Sequence, residues 1–249
     1  MISADQEFRD VANRAAAAYQ ARPAYVSYRT HVRIEVPSLR RSRDIERAIE
    51  VRTQDDVAVI QDLPRGQRQI SHAYPINPTF DAISYFSLSW KAGPHDRLEA
   101  YVSDVRPLTF TTPQSNANVV VTSLRYYHAE FAADSRSDEG GKMHIVLNPL
   151  QTLTQFHNGN LYLRDVYIDN ADKQRLPSRV TWVSPAPDSG EFTVDYRRDG
   201  DRWMVDHAFF TQSIPTPLRL ARFRINADAR FESFTFESQP ASKELLLPR

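Results

Sequence analysis

Between Tyr25 and Val36 the chain alternates without a break: Val26, Tyr28, Thr30, Val32, Ile34 and Val36 fall on one side, Ser27, Arg29, His31, Arg33 and Glu35 on the other. A repeat of two puts successive side chains on opposite faces of extended backbone, so the run is a half-buried strand. Wound into a helix, its apolar residues would scatter around the axis. Such a strand demands partners. Further strand-like runs supply them at Ile45, Arg47, Ile49 and Val51, at Val57-Ala58-Val59-Ile60, and near residues 98–106, 117–132, 142–150, 160–169, 178–184, 190–198, 202–213, 219–225 and 230–237. Many short strands joined by turn signals predict an antiparallel meander, barrel or sandwich and argue against βαβ units.

Two segments depart from this period. Ser3 with Gln6 three residues on is a capping-box pattern, Phe8, Val11, Ala12, Ala15 and Tyr19 share one helical face, and Pro23 ends the run. In the second segment Asn77 is placed to cap and Pro78 to take the first helical position, with Ile83, Phe86 and Trp90 on one face. The expected fold is therefore mainly β (α+β): a strongly curved antiparallel sheet or open, unclosed β-barrel with an N-terminal helix and a short inserted lid-like helix. A length of 249 residues without repeat or low-complexity linker predicts a single domain over 1–249.

The seven glycines stand in turn-like settings. His157-Asn158-Gly159-Asn160 and Arg198-Asp199-Gly200-Asp201 are the sharpest hairpin signals, because Asn-Gly and Asp-Gly accept the positive φ of a two-residue turn.

Catalytic motifs are absent from the sequence. It has no cysteine, hence no thiolate zinc site, iron–sulfur cluster or thiol nucleophile. Its seven histidines form no HxH, HxxxH or HExxH pair, and there is no GxSxG elbow, Walker loop or GxGxxG. His128 with Glu130 reads as a surface contact, Asp55-Asp56 and Asp199-Gly200-Asp201 as turn chemistry, and Asp165 with Asp169 as the solvent side of a strand. No cofactor and no metal are expected, and the chain reads as non-catalytic.

Lys+Arg 31 balance Asp+Glu 31, so nucleic acid is not an expected partner. The basic run Leu39-Arg40-Arg41-Ser42-Arg43 is followed at once by Asp44, Glu46 and Glu50 and reads as a solvated turn. No stretch approaches the roughly 20 apolar residues of a transmembrane helix. Met1-Ile2-Ser3-Ala4-Asp5 has neither the basic start nor the apolar run of a signal peptide. The expectation is a cytoplasmic protein or an exported one whose leader is missing here. Aromatic mass is high, with 13 Phe, 11 Tyr and 3 Trp. Core filling accounts for most of it, and the remainder is compatible with an apolar hollow in a sheet that does not close on its own side chains.

The order helix, long alternating strand, further strands, Pro-bounded aromatic helix and closing hairpins resembles the LolA/LolB-like superfamily of periplasmic lipoprotein carriers and receptors. Leu161-Tyr162-Leu163-Arg164-Asp165-Val166-Tyr167-Ile168-Asp169 followed by Arg175-Leu176-Pro177-Ser178-Arg179-Val180 is similar to a strand, Asp, Leu-Pro, strand step of such proteins. Glu191-Phe192-Thr193-Val194-Asp195-Tyr196, the Asp-Gly turn and Trp203-Met204-Val205 resemble a later hairpin. No functional residue of the carriers aligns. The resemblance implies an unclosed barrel whose apolar concave face holds an acyl chain or other greasy ligand, in an exported, periplasmic or secreted protein.

The expected ligand contacts are Phe80, Ile83, Phe86 and Trp90 from the inserted helix and Tyr28, Val32 and Ile34 from the sheet. The expected partner is a lipid or an acylated protein. A second expectation is a protein-interaction or regulatory domain of a cell-envelope complex, with a filled core and a membrane-associated protein partner.

Overall fold

The computed structural model describes residues 2–20, 23–54, 57–71, 127–135, 141–149, 162–184, 190–200, 202–215 and 221–246. The expected strand at 98–106, the hairpin at 157–160 and the helix carrying Phe80, Ile83, Phe86 and Trp90 lie outside them.

Helix α1, Ala4–Gln20, begins as its capping pattern requires: the Gln6 N–H donates to Ser3 Oγ at 3.2 Å. Ala4, Phe8 and Val11 turn into the core, and burying each large apolar side chain contributes about 1.5–3 kcal/mol. Glu7 is buried on the same helix, 3.1 Å from both Arg14 and Arg175. That triad ties α1 to the turn before β8.

Eleven strands follow: β1 Tyr25–Val36, β2 Arg41–Arg52, β3 Val57–Asp62, β4 Arg68–Ser71, β5 Tyr127–Phe131, β6 Lys142–Pro149, β7 Tyr162–Asp169, β8 Pro177–Ser184, β9 Gly190–Asp199, β10 Arg202–Pro215 and β11 Arg222–Glu237. They form one antiparallel sheet in the order β4-β3-β2-β1-β11-β10-β9-β8-β7-β6-β5. Two meanders are thus joined by the pairing of the first strand with the last. Among the described residues the sheet stays open, with β4 and β5 at its edges.

The β5 edge is covered in part. Asp5 of α1 accepts the Ala129 N–H at 2.8 Å, occupying a donor that an incoming strand would otherwise use.

The predicted strands at 219–225 and 230–237 are one strand. Asn226-Ala227-Asp228-Ala229 continues it, with Asp228 taking a contact from His207 Nε2 at 3.0 Å and the two alanines facing inward. A bulge lies farther along: the β1–β11 register shifts between Ser27 and Arg29, opposite Ser233, whose φ is 57°. The extra residue lets Phe231 and Phe234, three apart, turn to the same face. Both pack on Tyr28, with ring centroids 6.0 and 5.4 Å away.

Gly200 carries the positive φ expected of the β9–β10 turn, at 60°, while Asp199 is still in the ladder, paired with Arg202. Gly190 answers to close approach instead, since a Cβ there would lie 2.9 Å from the Thr211 carbonyl oxygen.

Candidate functional site

The two faces of β1 and β2 differ in kind. Directly paired residues share a face, so the register Tyr28↔Ile49, Thr30↔Arg47, Val32↔Ile45, Ile34↔Arg43 and Val36↔Arg41 defines the inner one. β11 adds Phe231, Ala229 and Ala227 to it, and β10 adds Ala208 and Phe210.

This inner face is filled at one end. Val26, Tyr28, Ile49, Val51, Val205 and Phe231 are buried there in one cluster with Phe8 and Val11 of α1. Farther along the same strands burial falls. Val32, Ile34, Val36 and Ile45 are half-buried, as are Phe210, Ala227 and Ile225, and together they form an apolar stripe.

Of the expected contacts, Tyr28 belongs to the filled end, 2% exposed and stacked on Phe234. Val32 packs against the margin of the core and Ile34 continues the stripe. The structure thus places the three on one face, with Tyr28 apart from the other two in burial. Phe80, Ile83, Phe86 and Trp90 lie outside the described residues. Phe210, Ile225 and Ala227 join the stripe without having been singled out in the sequence; the two-residue period of β10 and β11, applied from Ala208 and Ala229, locates them.

The outer face is polar. On β6 and β7, His144 sits between two carboxylates, Nδ1 at 2.9 Å from Asp134 and Nε2 at 2.9 Å from Asp165, and stacks on Tyr167 with ring centroids 4.1 Å apart. A neutral imidazole carries one N–H, so only a doubly protonated ring donates both contacts at once. The hydrogen bond from His144 holds the Asp134 carboxyl below its usual range, and partial burial, more than the nearby Asp165 charge, raises the Tyr167 hydroxyl. Asp165 was expected to face solvent. It lies on the outer face but is 7% exposed, enclosed by His144 and by Arg164, whose Nε is 2.6 Å away. His128 meets Asp5 at 3.4 Å and Glu130 at 3.6 Å, all three exposed, a surface contact as read from sequence.

An outer hollow of about 490 Å³ lies over β1, β2 and β3, lined among others by Ser27, Arg29, Glu50, Gln61 and Arg68. Its Glu50 carboxylate is committed to the C-terminal segment, accepting the N–H groups of Ala241 and Ser242 at 2.7 and 3.0 Å. Leu245 of that segment is buried against Val57 and Val59. Ala48 and Val59 also line the hollow, among these polar and charged groups. Among the described residues no group of three or more His, Asp or Glu is placed to hold a metal ion, and no helix is long and apolar enough to cross a membrane.

No family model matches the chain, and no curated protein matches it. Solved structures do. A putative outer membrane lipoprotein-sorting protein domain from Vibrio parahaemolyticus is 11% identical, with 92% of this chain and 94% of that one covered and a TM-score of 0.45. A LolA superfamily protein from Nitrosomonas europaea is 10% identical, with 98% and 100% covered and a TM-score of 0.42. The chain is similar to LolA-superfamily structures. That likeness agrees with the resemblance read from the order of elements.

Proposed function

We propose that this chain is a non-catalytic binding protein that holds an acyl chain or comparable apolar ligand along the inner face of its open sheet. The observation that carries the reading is the fall in burial along one face, from the filled end at Tyr28 and Phe231 to the half-buried stripe of Val32, Ile34, Ile45, Phe210, Ile225 and Ala227. The physics is burial of hydrocarbon, about 0.8 kcal/mol per CH₂ moved out of water, which needs no reactive group. Phe80, Ile83, Phe86 and Trp90 enter the proposal as further contacts on sequence grounds alone. Residues 1–249 acting as one domain, in an exported, periplasmic or secreted setting, belong to the same proposal.

A second reading, an interaction or regulatory domain of an envelope complex, is favoured by the filled end of the sheet and by exposed Leu39, Ile70 and Phe131 on the β1–β2 tip and the two edge strands. Native mass spectrometry of the purified protein separates the two. Lipid adducts that disappear in Ile34→Asp, with the circular dichroism spectrum unchanged, support the carrier. No adduct and no uptake of a fluorescent fatty acid support the interaction domain.

A further inference from the structure

β2 sorts its charges by face. Residues 41, 43, 45, 47, 49 and 51 are Arg, Arg, Ile, Arg, Ile and Val on the inner face; Ser42, Asp44, Glu46, Ala48, Glu50 and Arg52 alternate with them on the outer face. What reads in the linear sequence as a basic run cancelled by neighbouring acids is separated in space by the thickness of the sheet. Two of the outer acids are engaged there: Asp44 lies 3.4 Å from His31, and Glu50 caps the C-terminal segment.

On the inner face Arg43 stands across from Ile34, Arg41 from Val36 and Arg47 from Thr30. β1 and the paired stretch of β11 bring no acidic side chain to this face. Asp62 is opposite Arg47 on β3, and its carboxylate accepts the Arg65 N–H at 3.2 Å. β3 pairs with β2 no farther along than Arg47, so Arg41 and Arg43 lie past that acid, exposed, at the margin of the apolar stripe.

Guanidinium groups beside an apolar stripe suit one kind of occupant. The stripe takes hydrocarbon, and a planar, permanently charged fork takes phosphate or carboxylate by paired hydrogen bonds. We infer that the ligand is an anionic amphiphile, with its chain along Val32, Ile34, Ile45, Phe210 and Ile225 and its phosphate or carboxylate head held by Arg41 and Arg43. This deepens the carrier reading and rests on it.

The test uses the purified, delipidated full chain and two single-chain lipids below their micelle concentrations: 1-oleoyl-lysophosphatidylglycerol, anionic, and monoolein, neutral. Isothermal titration is expected to show the anionic lipid binding at least about tenfold tighter at low salt, with the preference shrinking as salt screens the rim. In the Arg41→Gln/Arg43→Gln double variant the two lipids should bind within about twofold of each other, with monoolein affinity unchanged, since only the head-group contact is removed. Equal affinities in the unsubstituted protein, or a preference that survives in the double variant, overturn the head-group inference and leave the apolar reading standing. Binding of neither lipid overturns both. Inorganic phosphate that competes the lysolipid away shows a phosphate site independent of the chain and overturns the amphiphile assignment.

Discussion

Ile34 and Arg43 face each other across β1 and β2, on the same side of the sheet. An aliphatic and a cationic side chain on the inner face, at the level where burial has fallen, set this end of the sheet apart from the apolar end packed on α1.

The filled end sustains the fold and the stripe does not. Phe8→Ala, in the core beneath α1, is expected to lose about 3–5 kcal/mol in a urea titration, whereas Ile34→Asp at the half-buried stripe should shift the midpoint far less. Comparable losses in the two variants would remove the distinction between plug and stripe.

Ser233 carries a positive φ without being glycine. Relieving it in Ser233→Gly should stabilise the protein by up to about 1 kcal/mol, while a β-branched Ser233→Val should lower the melting temperature, because the left-handed region is most strained for such residues. A stabilising valine would show that the bulge does not depend on this backbone conformation.

Glu7 joins Arg14 and Arg175 with its own carboxylate nearly buried. Both arginines are about one-third exposed, so screening reduces what a buried ion pair would contribute, and Glu7→Gln is expected to cost about 1–2 kcal/mol. Amide hydrogen exchange should quicken in α1 first, since the triad is what ties the helix to the β7–β8 turn.

Much of this fold is legible in the sequence. The alternation from Tyr25 to Val36, the Ser3 cap and the positive φ of Gly200 each rest on a local rule, and each is present in the fold. Asn226 and Asp228 are turn-favouring residue types, yet in the sheet they point outward while Ala227 and Ala229 line the inner face, and pairing on both sides outweighs local preference. The sheet part of the candidate site followed from period two, which put Val32 and Ile34 together. Arg41 and Arg43 did not, because charge along a strand was summed in sequence order and a sheet separates it by face. Glu7 was invisible for another reason: its partner Arg175 comes from a turn 168 positions away, and no local pattern signals that contact.

The β5–β6 connection is pinned to the outer face by Asp134. Its carboxyl titrates below the ordinary 3.8 because His144 donates to it, so the tie is fully present above that value and is lost as pH falls through the lower folded value. Carboxyl NMR on the native chain should give a midpoint under 3.8 for Asp134, and His144→Ala should return it to the ordinary value. An unchanged midpoint in that variant would show that the contact does not hold the carboxylate.

The most direct measurement of the central claim is a methyl NMR titration with Ile and Val labelled and monoolein added to the delipidated protein. Saturable shifts at Val32, Ile34, Ile45 and Ile225, with Val26, Val180 and Ile168 unmoved, are the predicted result. Shifts confined to the filled end or the outer face, or none at all, would contradict a hydrocarbon ligand on the inner stripe.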